Sequence, residues 1–386
     1  MSSAFKAIIA GGGFGGLTAA TALAQRGWSV TVYERQHELR AAGSGIYIWE
    51  NGLRILDAIG ARVVSPDSFH GRAMEQRDRH DQVIDPGDFP PQVRLVTVAR
   101  KDLLNGLRDA ALRCGVQIRT AAEVIGASAA GELHFAGAHS EQADLAIGAD
   151  GVWSAVRRSL GLELFHQQTH EGALRAMIPG TPEDLGHNGQ DRYIEVWSDQ
   201  RRFLITPLND REIYLAFTCQ KDDPTGKANP LDKHSWIQSF PRWAHLIERV
   251  GQVLPWAPYS IVKVRAWSSG HTALIGDAAH AQPPNLGQGG GMSMQSALAL
   301  ATFLEGLDDR RDIPARLQAW EAQERELAEH CQRWSCLYGE VSTLPDEPRS
   351  RIIHHGMGDP WVRQQILRAA LSQPTGTQPS LHADRL

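Results

Sequence analysis

The sequence is poor in cysteine, and the few cysteines lie far apart. Its 386 residues include only Cys114, Cys219, Cys331 and Cys336. A disulfide framework or a zinc site needs more cysteines at closer spacing, so neither is expected. Cys331 and Cys336 are five residues apart in a predicted helix, where a buried pair of thiols is the simpler interpretation. No metal-ligand cluster occurs elsewhere, and no metal is expected.

Long hydrophobic runs and an excess of one charge are also missing. No apolar stretch approaches the roughly 20 residues that cross a bilayer, and the N-terminus lacks the charged start and cleavage site of a secretion signal. The formal net charge of -5 gives no reason to expect nucleic acid or an anionic membrane as partner. We therefore expect a cytoplasmic protein, monomeric or homodimeric, that acts on a small molecule.

Glycine, in contrast, is concentrated near the N-terminus. Gly11, Gly13 and Gly16 form G-x-G-x-x-G between an apolar run that predicts a strand and an alanine-rich run that predicts a helix. Such glycines allow a tight turn, a close approach of the backbone to a pyrophosphate, and close helix–strand packing. Glu34, at the end of a second predicted strand, has the spacing of a ribose-binding carboxylate. The stretch predicts a dinucleotide site; the alternative is a turn of structural use only.

Two further motifs each follow a predicted strand and precede a predicted helix. They are Asp150-Gly151 and Gly276-Asp277, and a second glycine cluster, from Gly287 to Gly291, comes shortly after. Taken singly, each Asp could simply cap a helix. Taken together and in this order, the motifs indicate one composite nucleotide site.

The remaining elements follow from hydrophobic periodicity. Alternating apolar residues at regular spacing predict an antiparallel meander in the middle of the chain. In the helix predicted for 100–113, Leu103, Leu104, Leu107 and Leu112 should point inward. The other predicted helices cover 50–59, 233–250, 285–304 and 314–336, and the meander strands cover 193–197, 202–206 and 213–217.

In these motifs and their order, the sequence resembles the FAD-dependent, single-component aromatic hydroxylases, that is, the para-hydroxybenzoate hydroxylase-like flavoprotein monooxygenases. The resemblance extends from the first strand to about residue 335. It implies that the first glycine motif and Glu34 hold the ADP part of FAD, that Arg100 reaches the pyrophosphate or ribityl region, and that Asp277 contacts the ribityl chain. The FAD-binding residues that it implies are Gly11, Gly13, Phe14, Gly15, Gly16, Glu34, Arg35, Arg40, Ser44, Gly45, Arg100, Val124, Asp150, Asp277, Pro284, Gly287, Gly289 and Gly290.

Within that family, the sequence is most similar to the subgroup that acts on hydroxylated pyridine carboxylates, the 2-methyl-3-hydroxypyridine-5-carboxylate oxygenase-like enzymes. The similarity lies between Gly45 and Arg54 and between Arg202 and Tyr214, and Pro284 with its neighbours departs from the subgroup's motif. It implies that Arg202 meets a substrate carboxylate, that Tyr214 meets the ring hydroxyl, and that Tyr47 lies near the flavin. The alternatives are a solvated turn for Arg202, core packing for Tyr214 and packing for Tyr47.

The resemblance also implies an α/β fold. We expect a Rossmann-like FAD-binding domain interleaved with an antiparallel-sheet substrate domain, followed by a C-terminal helical region. The tail, rich in Pro, Gln, Ser and Thr, should be loosely ordered from about 372. The predicted boundaries are 1–70, 93–170 and 269–340 for the FAD-binding domain, 71–92 and 171–268 for the substrate domain, and 341–386 for the extension.

The reaction that the resemblance implies is hydroxylation of a small hydroxylated aromatic or N-heteroaromatic compound with FAD, NADH or NADPH, and O2, and the substrate is expected to carry a carboxylate. Oxygen transfer would proceed through a flavin C4a-hydroperoxide. Two alternatives stay open. One is a flavoprotein of the same fold with another outcome, such as a ring-opening oxygenase, an epoxidase or a reductase. The other is an NAD-binding dehydrogenase.

Overall fold

One half of the molecule is built on a six-stranded, mainly parallel sheet. A computed structural model describes residues 4–40, 44–187 and 189–377. The apolar run after Lys6 forms the central strand of this sheet, buried from Ala7 to Ala10. Ala10 pairs with Gly148 on one side and with Tyr33 on the other, so three strands end together beside the first glycine motif. The strands are β1 (Lys6–Ala10), β2 (Ser29–Tyr33), β8 (Gln117–Arg119), β12 (Leu145–Gly148), β18 (Ser268–Ser269) and β19 (Thr272–Leu274), in the order β18-β19-β12-β1-β2-β8.

The other half is a seven-stranded sheet that contains the predicted antiparallel meander. All neighbours in it are antiparallel except one parallel pair, in which Glu195 lies opposite Gln76. Its order is β17 (Leu254–Val264), β13 (Glu163–Pro179), β16 (Glu212–Gln220), β15 (Arg201–Pro207), β14 (Arg192–Ser198), β5 (Ala73–Arg77) and β6 (Val83–Asp85).

Two small sheets complete the strands. The first, which lies beside the junction of the two large sheets, consists of β3 (Gly45–Trp49), β7 (Leu95–Ala99) and β4 (Phe69–Gly71). The second consists of β9 (Val124–Ser128), β10 (Glu132–Phe135) and β11 (His139–Gln142). These sheets, the two large ones and the helices confirm the α/β class; the exact domain boundaries stay a prediction.

Helices cover the parallel sheet and form the predicted C-terminal helical region. No helix among the described residues is long and apolar enough to cross a membrane. The helices are α1 (Phe14–Gln25), α2 (Glu50–Ala58), α3 (Arg100–Arg113), α4 (Ala155–Ser159), α5 (Lys233–Ser239), α6 (Ala244–Ile247), α7 (Asp277–His280), α8 (Gly289–Phe303), α9 (Ile313–Val341), α10 (Asp346–Gly358) and α11 (Pro360–Leu371).

Three details of the predicted helices are wrong. Leu112 is 51% exposed, because nine residues after buried Leu103 the helix has turned to about the opposite side. The helix predicted for 233–250 is interrupted by a 3-10 turn that starts at Pro241, since proline cannot continue a helix. The helix predicted from 285 begins at Gly289, because Gly287 takes a left-handed φ of +64° after a short 3-10 turn.

The end of the described chain is attached to the helices. Thr375 donates a hydrogen bond of 2.6 Å to Glu324 of α9, and Arg54 of α2 donates to the Ser372 carbonyl at 3.5 Å. Loose order therefore does not describe residues 372–377, and the rest of the predicted loose tail, 378–386, lies outside the described residues.

Candidate active site

A cavity of about 710 Å³ lies where the parallel sheet meets the seven-stranded sheet. The turn after β1, the start of α8 and the strand β3 form one side. The face of β13, β15 and β16 forms another, and α10 and α11 close the end. Most of the residues predicted for the site line it: Gly13, Phe14, Gly15, Glu34, Arg40, Ser44, Gly45, Tyr47, Arg100, Arg202, Tyr214, Asp277, Pro284, Gly287, Gly289 and Gly290.

The first glycine motif has the geometry of a phosphate cradle. Gly11 has a φ of +106°, and a Cβ at Gly16 would lie 2.0 Å from the Gly11 carbonyl oxygen. A Cβ at Gly13 would meet no described atom within 4 Å. No side chain of the described residues caps the N-terminus of α1, so its first amide groups remain available to an anion. Gly11 and Gly16 thus shape the turn from behind, and Gly13 leaves room for a ligand.

The acidic residue after β2 is held at the rim of the cavity. Glu34 accepts hydrogen bonds from the backbone amides of Gly12 and Gln36, each at 3.0 Å. These bonds fix the carboxylate beside the glycine turn, where a ribose attached to the pyrophosphate would lie. The geometry fits the ADP part of FAD.

Opposite charges meet in the middle of the cavity. The Arg100 guanidinium lies 5.0 Å from the centre of the Phe14 ring, and burial, with Arg175 nearby, lowers its pKa. Burial raises the pKa of the Asp277 carboxyl, and Arg100 opposes that rise. The first residues of α8 line the same region. A hydrogen-bonding cofactor chain with phosphates at one end fits such a donor and acceptor set.

Besides Gly11 and Gly16, which shape the turn from behind, three residues of the predicted cofactor set do not line the cavity within the described chain. Arg35 and Val124 contribute nothing to its wall within the described chain, and the wall near Asp150 is formed by Gly151. The Asp150 carboxylate accepts from the amides of Ala155 at 2.7 Å and Val156 at 3.2 Å. The helix-capping alternative therefore describes the contacts of Asp150, and contact of these three residues with FAD stays a prediction.

Aromatic hydroxyls occupy the part of the cavity next to the seven-stranded sheet. Tyr47 and Thr206 share a hydrogen bond of 2.7 Å, and burial holds the pKa of Tyr47 well above its usual value. Tyr214 packs against Gly45, where a Cβ would lie 2.7 Å from its ring. Burial lowers the pKa of the nearby Arg175, but Tyr214 and Tyr259 outweigh burial, so the pKa lies above its usual value. Both tyrosines line the cavity, and Tyr214 also packs in a small buried cluster with Ala99, Leu208 and Ala216. Contact of either tyrosine with the substrate or the flavin therefore stays a prediction.

Arg202 is buried, and the solvated turn is the wrong interpretation of this arginine. It lies in β15 and is only 5% exposed. Its guanidinium donates to Glu195 and Glu171, each at 3.3 Å, and to the Asn285 side-chain oxygen at 2.6 Å. Burial lowers its pKa, but the two carboxylates outweigh burial, so the pKa lies above its usual value. The guanidinium is at the cavity wall but already has two anionic partners.

Part of the cavity is an apolar arm that sequence reasoning missed. We use the name apolar arm for the wall formed by Trp49, Met74, Phe89, Met357, Ile366 and Leu367. The last three belong to α10 and α11, for which the helical pattern gave no indication of contact with the site. Arg175 was also missed, although a single arginine among the buried apolar residues of β13 is a usable signal.

The fold and the cavity define a flavoprotein monooxygenase. Comparison with known proteins places the chain in a family: it belongs to the FAD binding domain family, whose sequence profile matches residues 4–335. The protein is an FAD-dependent monooxygenase, and FAD is its cofactor. The predicted resemblance to the aromatic flavoprotein hydroxylases is confirmed.

Two relatives and one solved structure illustrate the similarity. A Rhodococcus erythropolis protein with the provisional name 2-heptyl-3-hydroxy-4(1H)-quinolone synthase is 40% identical over 371 residues, covering 95% of this chain and 96% of the relative. The 2-heptyl-3-hydroxy-4(1H)-quinolone synthase of Mycobacteroides abscessus is 35% identical, covering 92% and 94%. The tetrameric form of 2-methyl-3-hydroxypyridine-5-carboxylic acid oxygenase has a TM-score of 0.86 at 32% identity, covering 98% and 99%.

Proposed function

We propose that this enzyme uses NADH or NADPH and O2 to hydroxylate a 2-alkyl-4(1H)-quinolone at the ring carbon next to its carbonyl group. The observation that carries the proposal is the apolar arm, whose aromatic and aliphatic side chains line the same cavity as the polar groups around Tyr214 and Arg175. The two relatives that carry the quinolone synthase name support the same substrate class.

An alkyl chain suits the arm on energetic grounds. Its side chains are aromatic or aliphatic, and several, including Ile366 and Leu367, are only partly buried in the described chain. Each methylene group moved from water into such surroundings contributes about 0.8 kcal/mol. A chain of several carbons therefore adds several kcal/mol of binding energy, which a small ring alone leaves unused.

The roles of the protein follow from where its polar groups lie. Bound FAD, in its reduced form, would supply the chemistry that activates O2. The chain's own side chains bind and orient the ring. Tyr214 and Arg175 lie near each other at the wall, and they are suited to hydrogen-bond the carbonyl oxygen of the ring and to stabilise negative charge on it. Tyr47 stays protonated, because its pKa is raised by burial. Closure of the cavity end by α10 and α11 keeps water from the ring.

A second candidate substrate is a hydroxylated pyridine carboxylate. Arg202 at the cavity wall and the similarity to the pyridine carboxylate oxygenase favour it. The two candidates differ in charge and in the apolar chain, so one set of substrates separates them.

The test measures substrate-stimulated NAD(P)H oxidation and product mass with 2-methyl- and 2-heptyl-4(1H)-quinolone and with 3-hydroxypyridine-5-carboxylate. We expect a product heavier by one oxygen atom and a KM for the heptyl compound at least tenfold below that for the methyl compound, given the value per methylene above. Stimulation by the pyridine carboxylate alone would contradict the proposal.

A pair of variants tests where the alkyl chain of the substrate binds. Ile366→Trp fills the apolar arm and should raise KM for the heptyl compound far more than for the methyl compound. Gln364→Trp is the matched control, because Gln364 lies on the same helix but is exposed. Equal effects of both variants would place the chain elsewhere.

A further inference from the structure

We use the name ring end for the part of the cavity next to the seven-stranded sheet, which Tyr47, Arg202 and Tyr214 line. The surroundings of Arg202 determine which ligand charge this end accepts. Arg202 and Glu195 line the cavity, whereas Glu171 contributes no surface to it within the described chain and lies behind the guanidinium. All three side chains are nearly inaccessible, at 5% to 6% exposure. The two carboxylates therefore hold the one guanidinium without screening by bulk water.

Further contacts fix this cluster in place. Asn285 accepts from Arg202 and donates to Glu171 at 3.4 Å. The Tyr338 hydroxyl donates to the second oxygen of Glu195, and the guanidinium lies 5.2 Å from the centre of the Trp197 ring. Because the donors and acceptors are matched, Arg202 cannot turn toward a ligand without breaking buried ion pairs. Such a break is costly, because it leaves a buried charge without its partner.

The charges at the ring end do not favour an anion. With both carboxylates ionised, the cluster carries one positive and two negative charges. Burial raises the pKa of Glu195, although Arg202 opposes the rise; a protonated Glu195 would make the cluster neutral, not positive. Four other arginines line the described wall, and each has a partner. Arg100 faces Asp277, and Arg175 lies near Tyr214 and the Tyr259 ring. Arg40 pairs with Glu38, and Arg363 pairs with Asp85.

We propose that Glu171 and Glu195 are specificity-determining residues, which neutralise Arg202 so that the site selects uncharged heteroaromatic rings over their carboxylated counterparts. The proposal rests on the proposed function insofar as a heteroaromatic ring binds at this end of the cavity. The same arginine that the sequence assigns to a substrate carboxylate is thereby withdrawn from that role.

The experiment measures dissociation constants from the change in flavin absorbance of the holoenzyme with two matched pairs of ligands. One pair is 4(1H)-quinolone and its 2-carboxylate, and the other is 3-hydroxypyridine and its 5-carboxylate. Wild type should bind the neutral member at least tenfold more tightly in each pair. Glu171→Gln should reduce that preference about tenfold, since one negative charge near the ligand carboxylate is removed at an effective dielectric near 20.

Three further variants make the result specific. Glu163→Gln is the matched control, because Glu163 lies on the same strand and pairs with another buried arginine, Arg157, at 2.8 Å, away from the cavity wall; its preference should stay within twofold of wild type. Glu171→Gln alone should bind the carboxylates more tightly than wild type does. When it is combined with Arg202→Met, this tighter binding should be lost. Glu195→Gln gives an independent test, and bound-flavin absorbance shows that each variant is folded.

The outcomes separate the inference from the proposed function. Equal or tighter binding of the carboxylates by wild type overturns the inference, as does a preference unchanged by Glu171→Gln and by Glu195→Gln. If the double variant still binds the carboxylates more tightly than wild type, another cation, Arg175 first, binds them. That result also overturns the inference. Failure of the quinolone pair alone contradicts the proposed function, while the pyridine pair still tests the inference.

Discussion

Two glycines of the first motif differ in what they face, and this difference separates folding from cofactor binding. A Cβ at Gly13 meets nothing described within 4 Å, whereas a Cβ at Gly16 would lie 2.0 Å from a carbonyl oxygen. We expect Gly13→Ala to keep the thermal stability of the FAD-free protein but to weaken FAD binding at least tenfold, because the methyl group occupies space left for the pyrophosphate. Gly16→Ala should instead destabilise the FAD-free protein.

The measurements are the melting temperature without FAD and the dissociation constant for FAD. Gly251→Ala is the control, since a Cβ there also meets nothing within 4 Å and Gly251 does not line the cavity; both quantities should be unchanged. Unaltered FAD binding in Gly13→Ala would show that the open space at Gly13 is not the phosphate site.

Arg202 is the residue whose loss should cost the most stability. Arg202→Ala leaves Glu171 and Glu195 buried without a cation, and breaking a buried pair in this way costs about 3–5 kcal/mol. Urea unfolding of the FAD-free protein measures the change. Arg351→Ala, which removes an exposed pair with Glu347, should change the free energy of unfolding by less than about 1 kcal/mol. Similar values for the two variants would contradict the buried geometry.

Among the elements, α11 is joined to the seven-stranded sheet by the ion pair of Arg363 with Asp85 at the end of β6. Burial raises the pKa of Asp85, and Arg363 opposes that rise. In Arg363→Met the opposition is lost and the pKa rises further. A raised carboxyl pKa means that the folded state binds the proton more tightly, so the stability lost in the variant is greatest above the folded pKa and returns as the pH falls through it.

The measurement is the free energy of unfolding of Arg363→Met and of wild type, from urea unfolding between pH 8 and pH 5. We expect the deficit of the variant, about 2 kcal/mol at pH 8, to shrink toward pH 5. Gln364→Met, at an exposed position of the same helix, should show no deficit at any pH. A deficit independent of pH would mean that Asp85 is not the group left without a partner.

Elements with strong local signals were predictable from the sequence. The helix α3 has the predicted bounds, and the meander strands lie where alternation placed them. The sequence predicted less well which face of a helix is buried and where a helix is interrupted. Leu112 of α3 faces outward, and the 3-10 turn at Pro241 follows the end of α5. The contact of α11 with the cavity depends on packing between distant segments, for which periodicity gives no partner.

For the whole molecule, the two ends of the cavity differ in how well the sequence predicts them. The cofactor end depends on a glycine turn whose geometry is set within a few residues, so the sequence predicts it. The ring end brings together Gln76, Glu171, Arg202 and Tyr338 from three strands and a helix. Their pairing, which neutralises Arg202, depends on register between strands and could not be obtained from the order of residues alone.

Because the cavity is lined by both large sheets, FAD binding should stabilise both halves together. Loop 11–16 and the start of α8 lie on one side, and Tyr214 of β16 on the other. A ligand at 100 times its dissociation constant adds about 2.7 kcal/mol to the free energy of unfolding. Hydrogen exchange with and without FAD should therefore slow in 11–17, in 284–291 and in β16, while α5, which contributes nothing to the described cavity wall, serves as the control. Slowing confined to 11–17 would mean that FAD contacts one half only, and that the substrate sheet is positioned without the cofactor.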